Sequence, residues 1–253
     1  VQSLRKARQE IFSIGSFIRG VNFVPSGAGN ERDLIVQIIE SPQTGMFSIG
    51  GGYGSEGGLF GVAEIGNNNL FGRAYQIHVK GEIGSQKRRT GQINFNTPWV
   101  FGTPTSLNLS LYSIRRLRQH YTSYSSYSSS TYDNYTDKRI GGSITVGWPI
   151  TRYIDLSVRF KDEEVTTEYP QLLTGETNFI SKQETRSLTF RGSRDTRDYR
   201  TSLFHPISGT LKELSYEYSG GFLGADNTFQ KYTAEGSWFV NTWRDMVFAS
   251  HVR

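Results

Sequence analysis

From Met46 to the C-terminus the sequence alternates with period two, and this constrains the fold more than any other feature. Tyr75, Ile77 and Val79 alternate with Gln76, His78 and Lys80, and Leu107, Leu109 and Leu111 with Asn108, Ser110 and Tyr112. Ile154, Leu156, Val158 and Phe160 alternate in the same way with Asp155, Ser157, Arg159 and Lys161. Successive side chains of an extended chain point to opposite sides, so each run is a strand with one apolar and one polar face. The pattern predicts about eleven strands, at residues 46–53, 59–66, 74–82, 90–97, 106–114, 138–147, 153–161, 184–192, 210–219, 229–239 and 246–253, and no helix among them.

Alternation alone does not say whether the apolar faces meet lipid or a packed core; a soluble barrel or sandwich alternates too. The connections are more informative. Short ones carrying an aromatic residue, as at 67–72 with Phe71, 98–102 with Trp99, 148–153 with Trp148 and Tyr153, and 241–245 with Trp243, alternate with polar ones such as 116–137 and 162–183. An up-and-down meander puts alternate turns at the same end. One end thus collects an aromatic rim and the other long polar loops, as in a transmembrane β-barrel of the bacterial outer-membrane type. The polar faces gather Arg, Lys, Asp and Glu on one side, as a wet lumen allows, and Gly and Ala thin the apolar faces, which leaves little material for a dry interior.

Composition removes other classes. The chain has no cysteine, which excludes disulfide scaffolds, zinc ribbons, iron–sulfur sites and thiol enzymes. No window approaches the ~18 apolar residues of a membrane-spanning helix, and the N-terminus lacks the apolar core of a signal peptide, so the chain reads as mature or as a piece. A net charge of +5 arises from 28 basic residues scattered among 23 acidic ones, which opposes nucleic-acid binding. His78, His120, His205 and His251 are dispersed, and neither a nucleophile elbow nor a phosphate loop occurs. We therefore expect no enzyme, no cofactor and no metal.

Ahead of the strands, Leu4, Ala7, Ile11 and Ile14 have helical spacing, and Val21–Val24 and Leu34–Ile39 form two short strands around a Pro/Gly-rich turn. Forty residues bury too little to stand alone. Residues 1–42 read as the C-terminal part of a larger domain, 41–45 as a linker, and 43–253 as the N-terminal portion of a barrel. Eleven strands cannot close antiparallel, and an open edge cannot face lipid, so further strands are expected after Arg253.

The order helix, strand, strand, then Phe47-Ser48-Ile49-Gly50-Gly51-Gly52-Tyr53-Gly54 resembles the junction of the last POTRA domain with the first barrel hairpin in the BamA family of outer-membrane protein assembly factors. Three further segments are similar to that family: Asn68-Asn69-Leu70-Phe71-Gly72-Arg73, Phe95-Asn96-Thr97-Pro98-Trp99, and Arg194-Asp195-Thr196-Arg197-Asp198-Tyr199 with Pro206-Ile207-Ser208-Gly209. The Val-Arg-Gly-aromatic signature of the family's inward loop is absent; Ile18-Arg19-Gly20-Val21 is read as a strand start and Phe190-Arg191-Gly192 as a strand end. The resemblance implies a mainly β fold, an incomplete antiparallel transmembrane barrel preceded by a POTRA remnant. It also implies an outer-membrane location with the POTRA side in the periplasm, and folding and insertion of β-barrel proteins as the function. A two-partner secretion pore of the same superfamily and a passive porin-like channel are the alternatives. The implied partners are outer-membrane lipids, unfolded barrel clients and periplasmic accessory lipoproteins.

Three sets of residues follow as candidates. Phe47, Ser48, Ile49, Gly50, Gly51, Gly52 and Tyr53 form a first strand weakened by glycine, a lateral gate whose backbone could pair with a client; the plainer reading is a bend in a curved sheet. Arg194, Asp195, Arg197 and Asp198 read as self-neutralising ion pairs in the barrel wall rather than an acid–base site. Phe71, Trp99, Trp148, Tyr153 and Trp243 form the aromatic rim. The basic runs Lys87-Arg88-Arg89 and Arg115-Arg116-Arg118 are expected at the long-loop end as solvated charge.

Overall fold

A computed structural model describes residues 2–27, 33–54, 58–85, 88–100, 102–122, 131–169, 180–198, 206–243 and 246–253. Helix α1 (Gln2–Ser13) precedes a two-stranded antiparallel hairpin, β1 (Ile18–Ser26) and β2 (Asp33–Glu40). The strand start expected at Ile18 is where β1 begins. Ser41 then accepts the chain into an ordered bend, its N–H donating to the Phe17 carbonyl at 2.7 Å.

The remainder is one antiparallel sheet of eleven strands in sequence order: β3 (Gly45–Gly54), β4 (Gly58–Leu70), β5 (Tyr75–Gly84), β6 (Arg89–Thr97), β7 (Ser106–Thr122), β8 (Thr131–Thr151), β9 (Ile154–Glu168), β10 (Ile180–Asp195), β11 (Gly209–Ser219), β12 (Phe229–Trp243) and β13 (Met246–Val252). Every strand expected from period two is present. The sheet is not closed, and β3 and β13 stand at its two edges.

Register fixes the faces. Residues directly opposite in an antiparallel pair share a face, so Phe47, Ile65, Val79, Ile93 and Leu111 form one row across β3 to β7. Ile144, Phe160 and Leu188 continue an adjoining row of the same side through β8, β9 and β10. On the other side stand Lys80, Gln92, Tyr112, Arg159, Arg191, Glu213 and Glu235. Among the described residues no second layer covers the apolar side, and the buried apolar ones are Phe17, Ile18, Val21 and Ala74, which cluster where the helix–hairpin module meets the β4–β5 turn. The polar side is concave: Thr145 of β8, Arg159 of β9, Arg191 of β10, Glu213 of β11, Lys231 of β12 and Arg253 line one cavity.

Two expectations about loops fail. Residues 116–137, expected as a polar loop, are strand as far as Thr122 and again from Thr131, with the β7–β8 ladder paired out to Thr122 and Thr131. Residues 162–183 likewise belong to β9 up to Glu168 and to β10 from Ile180. A stretch dominated by Ser, Thr and Tyr has the composition of a loop, but a ladder needs only backbone partners and continues past the bilayer with polar side chains on both faces. Phe190-Arg191-Gly192 also lies inside β10 rather than at its end.

Several glycines allow large side chains to cross a strand. Tyr112 is opposite Gly141, which is opposite Glu163. The tyrosine ring lies over the bare glycine and its hydroxyl donates to Glu163 Oε2 at 2.5 Å, while Lys161 Nζ donates to Oε1 at 2.9 Å. A Cβ on Gly141 would lie 2.9 Å from the Tyr112 hydroxyl and 2.7 Å from the Asp162 carbonyl oxygen. Tyr112→Phe is expected to cost about 1–2 kcal/mol through the lost hydrogen bond, and Gly141→Ala more, because the clash displaces the ring as well. The denaturant midpoint of the folded, heat-modifiable gel band measures both.

Candidate functional site: the glycine-rich edge and the inner wall

Strand β3 pairs with β4 and, among the described residues, with no other strand. Its outward side chains are large and uncovered: Phe47 is 70%, Ile49 76% and Tyr53 78% exposed. The three consecutive glycines differ in environment. A Cβ on Gly50 would make an ordinary 3.6 Å contact with Val62, whereas one on Gly52 would meet the Phe60 ring at 3.0 Å. Phe60 stands directly opposite Gly52 on the lumen side and covers its bare backbone, the aromatic rescue of a strand glycine. Arg88 stacks over that ring, 4.0 Å from its centroid, and is ion-paired to the buried Glu82. A chain of contacts thus runs from the edge strand to β5 and the start of β6. The sequence marked the glycines but not this stack, whose members lie on three different strands; the alternation of Phe60 with outward Leu59 and Gly61 was the available signal.

The inner wall is a field of paired charges. Asp137 Oδ2 accepts from Arg118 Nε and Arg139 Nε, each at 3.1 Å. Arg191 pairs with Glu213, and Arg253 with Glu235 at 3.0 Å. The basic runs expected as solvated charge are partly corrected: Arg88 pairs with Glu82 and Arg118 with Asp137 on the inner face, and Arg115 with Glu168 at 3.0 Å on the outer face near the long-loop end. Lys87 lies outside the described residues. Register brings most of these partners together from different strands, and composition along one strand does not reveal them.

A profile of the Omp85 superfamily domain matches residues 69–253. The chain belongs to the Omp85 superfamily. It is 26% identical over 214 residues to the outer membrane protein assembly factor BamA of Nitratidesulfovibrio vulgaris, covering 84% of this chain and 25% of that one. Two solved structures share the fold. BamA from Haemophilus ducreyi lacking POTRA domains 1–3 superposes with a TM-score of 0.56 at 18% identity, over 94% of this chain and 45% of that one. CdiB from Acinetobacter baumannii gives 0.50 at 13% identity, over 87% and 40%. This chain spans a quarter of the length of the curated BamA relative. It is a BamA-like Omp85 protein of the outer membrane, and its eleven-stranded sheet is barrel wall.

In this Omp85 sheet the rim residues share one end. Phe71 lies in the β4–β5 turn, Trp99 between β6 and β7, Trp148 and Tyr153 beside the β8–β9 turn, and Trp243 at the end of β12. All five are exposed. Trp238, placed by the sequence inside a strand and not at the rim, stands on the outer face opposite Thr210 near the same end. The turn carrying Phe71 is held by asparagine: Asn69 Oδ1 accepts the Ala74 N–H at 2.8 Å, which stabilises left-handed backbone at Phe71 and Ala74.

The Arg194/Asp195/Arg197/Asp198 cluster divides. Asp195 and Arg197 form a bidentate pair at 3.0 and 2.7 Å at the end of β10. Asp198 bridges to Ser208 through backbone hydrogen bonds. Arg194 faces away from this pair, on the outer side opposite Lys212. The contrasting glycine environments yield a clean test. Gly50→Ala should leave stability within about 0.5 kcal/mol of wild type, while Gly52→Val, forced against the Phe60 ring, should cost about 1–3 kcal/mol. Urea titration of the folded band separates the two.

Proposed function

We propose that this chain supplies the barrel wall and gate strand of a machine that folds and inserts β-barrel proteins into the outer membrane. The observation that carries this reading is β3: an edge strand with three consecutive glycines, large exposed apolar side chains, and a single neighbour among the described residues. Such an edge offers backbone N–H and C=O groups to an incoming strand. Glycine lowers the packing that a permanent neighbour would contribute, so exchange of that neighbour for a client strand costs little. The driving force comes from the client, which satisfies its own backbone and exposes its apolar face to lipid as strands accumulate. No enzymatic step, cofactor or nucleotide is required in this scheme. The helix–hairpin module acts as the end of a POTRA domain on the periplasmic side, where clients and accessory lipoproteins would be received.

A second reading is protein secretion through the barrel, supported by the shared fold with CdiB. A passive porin fits less well, since a porin has no use for a helix–hairpin module docked on its turns. Depletion of the native protein separates the readings: loss of many unrelated outer-membrane barrels supports insertion, and loss of one exported partner supports secretion. The gate itself is tested by placing a photo-crosslinking phenylalanine at Phe47 or Ile49 in the native protein. Adducts with newly made barrel proteins are expected there and not at Ile144, in the middle of the sheet. Equal labelling at both places would overturn the assignment of β3 as the gate.

A further inference from the structure

The outer face of the sheet carries a pair of cations at its short-turn end. Arg194 of β10 and Lys212 of β11 are directly opposite each other, both outward and both exposed. Among the described residues neither has a carboxylate within salt-bridge distance, unlike the paired arginines of the inner wall. Like charges directly opposite destabilise a ladder. Elsewhere on the outer face, charged strand residues such as Arg89, Lys138, Glu164 and Arg186 lie toward the opposite, long-loop end. The pair is thus isolated on a surface that is otherwise apolar at this level.

Beside it the surface is hollow. The outward position next to Arg194 along β10 is Gly192, and across β11 and β12 the row from Lys212 and Leu214 continues to Gly236 and Ala234. Gly192 and Ala234 leave a groove of about 560 Å³, walled by Trp238, whose ring lies back over Gly236 and fills the space above it. Interfacial tryptophan marks headgroup depth in a membrane. The two cations beside it are therefore at the level of lipid phosphates, and the groove runs from them toward the bilayer interior.

We propose that Arg194 and Lys212, with the groove over Gly192 and Ala234 beside the Trp238 ring, bind one anionic phospholipid of the leaflet facing the short-turn end. Both cations contact its phosphate and an acyl chain fills the groove. The assignment to that leaflet rests on the membrane orientation proposed above. Charge complementarity selects the headgroup, because a zwitterionic lipid would leave the two cations less compensated. The small residues select a chain, because a flush outer face would give an acyl tail no more contact than bulk lipid does.

The native protein, purified in mild detergent and supplied with equimolar phosphatidylglycerol and phosphatidylcholine, would be examined by native mass spectrometry under progressive delipidation. Wild type should retain phosphatidylglycerol over phosphatidylcholine by about thirtyfold, the scale of two interfacial cations. Arg194→Gln with Lys212→Gln should abolish the preference, while the charge-conserving Arg194→Lys with Lys212→Arg should keep it. Ala234→Leu, which fills the groove, should lower retention without reversing headgroup preference. Heat-modifiable migration confirms that each variant is folded, and the glutamine pair, remote from any core, keeps the test valid if Ala234→Leu is not. Three outcomes overturn the proposal: no headgroup preference in wild type, a preference that survives the glutamine pair, or retention of lipopolysaccharide in its place. If inorganic phosphate alone displaces the lipid and Ala234→Leu has no effect, the site is a simple anion site and the lipid assignment fails. Lipid retention is read without any client, so failure here is distinct from failure of the insertion reading.

Discussion

Backbone hydrogen bonding between neighbouring strands is the interaction on which everything else in this structure depends. Apart from the small cluster of Phe17, Ile18, Val21 and Ala74, the described residues form no buried apolar core. Each strand from β4 to β12 is held by a ladder on both sides, and its outward side chains are left for lipid. In a bilayer this is sufficient, because every polar backbone group must be satisfied inside the protein and the surrounding hydrocarbon takes the place of a core. The same dependence makes an edge strand chemically distinctive. Among the described residues β3, like β13 at the other edge, has one ladder where the strands between them have two.

The side chains adjust this ladder rather than create it. Tyr112 reaching Glu163 across Gly141, and Phe60 covering Gly52 beneath Arg88, are paired losses and gains: a glycine gives up packing, and an aromatic from the facing strand restores it. The inner wall then neutralises itself through ion pairs whose members come from different strands or from neighbouring inward positions of one strand. In a wet lumen such pairs are individually weak, but their regular spacing keeps the concave face free of large fields of one sign.

Strand existence and facing were legible from the sequence because period two is a one-dimensional signal. Phe47, Ile49 and Tyr53, or Leu107, Leu109 and Leu111, declare their face without knowledge of any neighbour. The short-turn end was legible for a similar reason, since Trp99, Trp148 and Trp243 fall at alternate connections. What could not be read depends on which residues stand opposite one another. Arg115 finding Glu168, Asp137 between Arg118 and Arg139, and Arg194 facing Lys212 rather than joining Asp195 all follow from register, which polar composition does not encode. The extents of β7 and β8 were missed because the long-loop end has the composition of a loop and the hydrogen bonding of a sheet.

That long ladder has a consequence for how such a protein can change over time. β7 and β8 have 17 and 21 residues, while an outer-membrane apolar band is only ~25 Å tall and a strand rises ~3.4 Å per residue. The distal part of this hairpin therefore stands clear of the bilayer, with its backbone already satisfied by its own two strands. Residues added or removed there in facing pairs alter its height without shifting the register below. The hairpin is a place where length can drift between lineages, and where a reporter peptide can be carried, while the wall within the membrane stays the same.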